Sequence, residues 1–175
     1  MDEDSYRSVY NEMNPTRCYF EKLILLRYGN CQQANKLFLA EREAYACNSE
    51  NAQQQCFKLL EHLRSNARFS LQITQVDGQL PHAKEIKVQA GGLYGLQQLL
   101  SHQNLTQTDI LHDDDAKFGE QSQKSAPIEN VFVTVNKALT KYQTLESIPY
   151  NEIVKAIMNF NLPERKRKKK RKKKD

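Results

Sequence analysis

The chemically most distinctive feature of the sequence is a run of ten consecutive basic residues near its end. Charges spaced this closely repel one another, so the run should be disordered when free. Opposite a polyanion it releases counterions and binds tightly without sequence preference, which predicts RNA, DNA or a ribonucleoprotein as partner. A nuclear localisation signal, an anionic membrane contact or a merely solubilising tail are the alternatives. The predicted nucleic-acid-binding residues are Arg165, Lys166, Arg167, Lys168, Lys169, Lys170, Arg171, Lys172, Lys173 and Lys174.

The four cysteines form the second group with chemical potential, although no CxxC pair is present. If residues 31–46 form one helix, Cys31 and Cys47 lie at its opposite ends, about 24 Å apart, and cannot share a metal. In an antiparallel arrangement of helices Cys18, Cys47 and Cys56 converge at the other end. The predicted metal ligands are therefore Cys18, Cys47 and Cys56, with Cys31 excluded.

Three converging thiols bind zinc or an iron–sulfur cluster only if a fourth ligand completes the set. The sequence offers His62, His82, or Cys31 after a different bend of the chain. The alternative is that the cysteines are small buried hydrophobic residues. The position of Cys56 on a predicted helix face with three leucines favours that alternative.

Catalytic motifs are absent from the sequence, which favours a binding protein over an enzyme. Gly91, Gly92 and Gly95 precede a predicted helix, but their spacing matches no phosphate-binding motif, and a tight turn is the simpler explanation. An acid–base pair can still assemble in three dimensions, for example His82 with Glu85, but no sequence pattern supports one. Residues 112–115, one histidine and three aspartates, are expected to form a solvated acidic loop.

The elements that must position these groups are mainly helical. Hydrophobic periodicity predicts helices over residues 16–28, 31–46 and 50–66, joined by short connections into an antiparallel three-helix unit. Alternation of apolar and polar residues then predicts a small hairpin of residues 69–76 with 84–90. A short helix over 93–100 and two further helices over 128–142 and 149–161 follow, although valines at 131, 133 and 135 leave a strand open for the first of these two.

The predicted fold class is thus mainly α with a minor β component: an antiparallel helical unit, a small β-hairpin and a disordered basic C-terminal tail. The predicted divisions are a helical domain with the hairpin at 1–100, a polar linker at 101–127, a helical segment at 128–162 and the polybasic tail at 163–175. Residues 101–127 are too polar to bury enough apolar surface to order themselves.

Charge is distributed very unequally along the 175 residues, which carry a formal net charge of +5. Residues 164–175 contribute +8, and the other 163 residues, with sixteen basic and nineteen acidic side chains, contribute −3. The chain as a whole is therefore not a basic nucleic-acid-binding fold. The acidic body is expected to bind another protein or to supply specificity.

No run of about 18 apolar residues is present, so no transmembrane helix is expected. The acidic start of the chain argues against a secretory signal. Together these features predict a non-enzymatic protein that binds RNA, DNA or a ribonucleoprotein through its tail. Such a protein is cytoplasmic in a bacterium and nuclear or nucleolar in a eukaryote. The alternative function is a cysteine-ligated metal or iron–sulfur protein.

Overall fold

The computed structural model describes residues 8–10, 12–39, 42–73, 80–101 and 128–161. Within these ranges the protein is mainly helical with one small antiparallel hairpin, which confirms the predicted fold class. The predicted linker beyond residue 101 and the polybasic tail lie outside the described residues. None of the helices in the described ranges has the length and apolar character needed to cross a bilayer.

The described elements begin with helical residues 8–10 and 12–13. The named helices and strands, with a π-helical turn at Lys87–Gly91, are α1 (Glu21–Leu25), β1 (Ala34–Leu39), β2 (Arg42–Cys47), α2 (Glu50–Ala67), α3 (His82–Ile86), α4 (Gly92–Ser101), α5 (Val131–Tyr142) and α6 (Tyr150–Asn159).

The hairpin of β1 and β2 occupies the segment for which the sequence predicted a helix, so that prediction is wrong. Its antiparallel register pairs Ala34 with Cys47 at the open end and Leu39 with Arg42 at the turn. The chain around Arg17 adds a further antiparallel bridge to Ala46, so the predicted helix over 16–28 is reduced to α1. Tertiary pairing on both edges of β2 outweighs the good helix propensity of this alanine-containing segment.

The predicted hairpin, over residues 69–76 with 84–90, is also wrong in its second strand, which lies within the described residues. Residues 82–101 form a continuous helical segment that contains the π-helical turn. Val88, Gln89 and Ala90 are all buried there. Burial on several sides removes the polar face by which a helix is normally recognised, and the sequence then resembles a strand.

The four longest helices agree with the sequence predictions. α2, α4, α5 and α6 lie within a few residues of the predicted bounds, and the strand considered for residues 131–135 is a helix. α2 starts at the N-cap Ser49, whose side chain accepts a hydrogen bond from the Ala52 N–H. Their inward faces build the core, with fully buried side chains that include Leu59, Leu60, Leu63, Leu93, Val131, Ile153 and Ile157.

The glycines that were predicted to form a tight turn before a helix are instead contact points between helices. A Cβ atom on Gly91 would lie 2.8 Å from the Cα atom of Ile157, and one on Gly95 would lie 2.8 Å from the Cβ atom of Ala156. Both positions face α6, and their lack of a side chain permits the close approach of the two helical segments. Their role is therefore packing, and the tight turn predicted there is not formed.

Candidate functional site

The candidate site lies at the open end of the hairpin, where the chain around Arg17 pairs with β2 in a short antiparallel ladder. Two cysteines lie on one side of this ladder. The Cys18 N–H donates to the Tyr45 carbonyl oxygen over 2.8 Å, and the Cys47 N–H donates to that of Thr16 over 2.6 Å. Because side chains alternate along extended chains, Cys18 and Cys47 lie on the same side of this ladder. Sequence analysis predicted their proximity correctly, although it assumed a helix.

Cys31 belongs to the same end of the hairpin. It lies three residues before Ala34, which is the direct partner of Cys47 across the two strands. The loop preceding it is held by a bridge between Gly29 and Ile128. The separation of about 24 Å from Cys47, on which the exclusion of Cys31 rested, is therefore not found, since a hairpin brings together the two ends of a segment that a helix would hold far apart.

Cys56 reaches the site from the first turns of α2. The amide Nε2 of Gln53 donates to the Arg17 carbonyl oxygen over 3.0 Å and thereby ties the start of α2 to the ladder. Cys56 is 9% exposed and lies on the helix face that continues into the core through Leu59. Cys56 therefore packs in the apolar core and also lines the cysteine site.

All four cysteines line a single small cavity, here called the four-cysteine cavity. The volume open to the centre of a water-sized sphere is about 10 Å³, close to the minimum for one water molecule. No disulfide joins any of the four cysteines. In the arrangement shown, no three His, Cys, Asp or Glu side chains of the described ranges are grouped so as to hold a metal ion. The other lining residues are Tyr19, Gln33, Ala34, Ala52, Gln53, Val131 and Phe132.

The electrostatics of the cavity keep its buried thiols protonated. Burial raises the pKa of the Cys18 thiol to about 12, although a hydrogen bond from the Phe20 N–H opposes the shift. Burial likewise raises the pKa of the Cys56 thiol. The Cys47 thiol donates to the Ser49 carbonyl oxygen, with 3.2 Å between the two atoms. Without a metal Cys18 and Cys56 are weak nucleophiles, because the thiolate is the reactive form.

The two histidines that sequence analysis considered as a fourth ligand lie away from the cavity. The ring of His62 stacks on that of Tyr150 at a centroid distance of 5.5 Å, and its Nε2 lies 3.5 Å from a carboxylate oxygen of Glu146. His82 is exposed at the start of α3. Neither lines the four-cysteine cavity.

Glu85 is not an acid–base partner for His82, because its carboxylate is committed elsewhere. It accepts hydrogen bonds from Nε and a terminal nitrogen of Arg64 over 3.2 and 2.8 Å. Gln89 donates a further one over 2.8 Å. At 1% exposure this group is a satisfied buried ion pair, and it has no access to a substrate.

The predicted nucleic-acid-binding residues and the acidic loop at 112–115 lie outside the described residues, so their prediction stands on the sequence. Comparison of the chain with protein-family models, curated proteins and solved structures finds no match. Sequence reasoning missed that Cys31 also lines the four-cysteine cavity. No alternation of apolar and polar residues over Ala44 to Cys47 marks the strand in the sequence, because all four residues are apolar.

Proposed function

We propose that this protein is a non-enzymatic binding protein that associates with RNA, DNA or a ribonucleoprotein through its polybasic tail. The observation that carries the proposal is the separation of charge along the sequence, +8 in residues 164–175 and −3 in the rest. An acidic body contributes no general attraction to a polyanion. The affinity must therefore come from the tail, while the body binds a protein partner or supplies specificity.

The location of the protein follows from the same argument. A tail of this composition brings the body to nucleic acid in the cytoplasm of a bacterium. In a eukaryote the same lysine- and arginine-rich run is typical of nuclear or nucleolar proteins.

The test is the salt dependence of binding to random-sequence duplex DNA and single-stranded RNA. Removing residues 164–175 should abolish binding. The double variant Lys173→Gln/Lys174→Gln should reduce the slope of log K against log salt concentration by about 2, because two fewer counterions are released. The matched control Lys58→Gln/Lys137→Gln removes two exposed charges from the body and should leave the slope unchanged.

The proposal is wrong if the truncated protein binds equally well at low salt. It is also wrong if the full chain binds anionic lipid vesicles but neither nucleic acid, since the tail would then be a membrane contact.

A second candidate function is a cysteine-ligated metal protein, favoured by the shared cavity of Cys18, Cys47 and Cys56. Zinc and iron–sulfur clusters are the centres that thiolates hold best. Purified protein should then contain stoichiometric zinc, or iron with a brown chromophore, and a Cys47→Ser variant should lose it. Fully folded protein without metal would exclude this function.

A further inference from the structure

All four cysteines of the chain line one cavity, although 12, 15 and 8 residues separate them in sequence. They arrive from a ladder segment, a loop, a strand end and a helix. Alanine or valine fills a core position as well as cysteine does. Packing alone therefore does not explain why all four cysteines lie around one cavity. A common ligand supplies such a reason.

We infer that Cys31 joins Cys18, Cys47 and Cys56 to form a four-thiolate site for a single zinc ion. This inference rests on the second candidate function and deepens it. It replaces the histidines as fourth ligand and specifies the metal. Four thiolates in a tetrahedral arrangement are a typical structural zinc set.

The size of the cavity favours one ion over a cluster. A volume of about 10 Å³ for a sphere centre holds one small particle, and zinc–sulfur bonds of about 2.3 Å draw the four sulfur atoms around it. An iron–sulfur cluster brings several iron and sulfide atoms and would require the surrounding elements to separate. Ala34, Ala52 and Val131 line the cavity with apolar groups that limit such expansion.

Binding requires a local rearrangement of Cys47 and of at least one other of the four cysteines, since no three of them are grouped to hold a metal in the arrangement shown. The Cys47 thiol must leave the Ser49 carbonyl oxygen and rotate into the cavity, since a thiolate cannot donate that hydrogen bond. The four thiols lose four protons as Zn²⁺ binds, which yields a centre of charge −2 and makes affinity rise with pH. The Phe20 N–H already faces the sulfur of Cys18 and would stabilise the thiolate.

The experiment titrates reduced, metal-free full-length protein with Zn²⁺ and, for its absorption spectrum, with Co²⁺. One ion should bind per chain, and Co²⁺ should give the sulfur-to-metal charge-transfer bands and strong visible bands of a tetrahedral thiolate site. Loss of an outer-shell partner lowers metal affinity by about 10–100-fold. Because Cys31 is a direct ligand in this proposal, the variant Cys31→Ser should lose more zinc affinity than that. The matched control Gln54→Ser introduces the same side chain at an exposed position of α2 outside the cavity lining and should bind Zn²⁺ like the unmodified chain.

The outcomes separate the inference from the function on which it rests. If the unmodified chain binds one Zn²⁺ and Cys31→Ser binds equally well, the role of Cys31 is wrong while the three-cysteine function stands. If the purified protein instead carries iron with a brown chromophore, zinc is wrong and cysteine ligation stands. If folded protein binds neither metal, both the inference and the second candidate function are wrong.

Discussion

Glu85 places a carboxylate in the core, where Arg64 and Gln89 satisfy it. Its side chain is 1% exposed and that of Arg64 is 22% exposed. The side-chain amide oxygen Oε1 of Gln89 also accepts from the Leu23 N–H over 3.3 Å. This network links α2, α3, the π-helical turn and α1, so its integrity matters for the fold rather than for chemistry.

Replacing Arg64 with methionine should therefore destabilise the protein by about 3 kcal/mol, since it leaves a buried carboxylate without its cation. Urea denaturation measures the change in the free energy of unfolding. The matched control is Glu61→Gln, which removes the exposed partner of the same guanidinium and should cost less than about 1 kcal/mol. Equal losses in the two variants would contradict the importance of Glu85.

The buried thiols predict an alkaline loss of stability in the metal-free protein. Burial raises the pKa of Cys18 from 9.0 in the unfolded chain to about 12 in the folded protein, and it raises that of Cys56 as well. The unfolded state therefore releases its protons first, and stability present below pH 9 declines as the pH rises towards 12.

The measurement is the free energy of unfolding in chelator and reductant between pH 9 and 10, below the ordinary pKa of tyrosine. The unmodified chain should lose stability across this interval. Cys18→Ala should show a shallower decline, and the remainder comes from Cys56 and, near pH 10, from Tyr10, Tyr28 and Tyr150, whose pKa values burial also raises. An identical slope in both proteins would mean that Cys18 is not buried as described.

At the scale of elements, the contact between α4 and α6 depends on missing side chains. Alanine at position 95 would ordinarily gain about 1 kcal/mol of helix propensity over glycine. Its Cβ atom, however, would lie 2.8 Å from the Cβ atom of Ala156 and 3.2 Å from the Cα atom of Ile153, neither of which can rotate away. Overpacking of this kind costs about 1–3 kcal/mol, so the clash outweighs the propensity.

Gly95→Ala should thus lower the free energy of unfolding by about 1 kcal/mol. The partner variant Ala156→Gly removes the nearest obstructing atom and by itself should cost about 1 kcal/mol in helix propensity. The loss in free energy of unfolding in the double variant should be smaller than the sum of the two single losses by at least about 0.5 kcal/mol. Strict additivity in thermal or urea unfolding would show that the two helices do not approach this closely.

At the scale of the whole molecule, the described core is complete by α6. Ile157 is fully buried, and Phe160 at the end of α6 is 7% exposed. The ring of Phe160 meets that of Tyr28 edge-on at a centroid distance of 5.4 Å. The polybasic tail follows this closing contact in the sequence, so binding and folding should be separable.

Removing residues 164–175 should leave the free energy of unfolding within about 0.5 kcal/mol of that of the full chain. Ile157→Ala should cost about 2–5 kcal/mol, because it opens a cavity among α2, α4 and α6. Calorimetry or urea unfolding of both variants measures the contrast. A large loss on truncation would show that the tail packs against the body.

Local sequence patterns determined the helices at 50–67, 92–101, 131–142 and 150–159, because each carries its own amphipathic stripe and end signals. They also determined the fold class and the separation of charge. Tertiary structure alone decided the hairpin at 34–47, because the edge of β2 that does not pair with β1 is paired with the chain around Arg17, distant in sequence. It likewise made residues 82–91 helical, where burial of Val88 to Gly91 on several sides had removed the helical periodicity.

The candidate site divides in the same way. Cys18, Cys47 and Cys56 were grouped in the sequence analysis through a helix over 31–46 that does not form. They share a cavity because the chain around Arg17 pairs with β2 and Gln53 ties α2 to that ladder. Whether Cys31 belongs with them depended on the shape of the chain between it and Cys47. A helix would separate these two residues by about 24 Å, whereas antiparallel strands return the chain to its starting point. The antiparallel pairing of β1 with β2 made that choice.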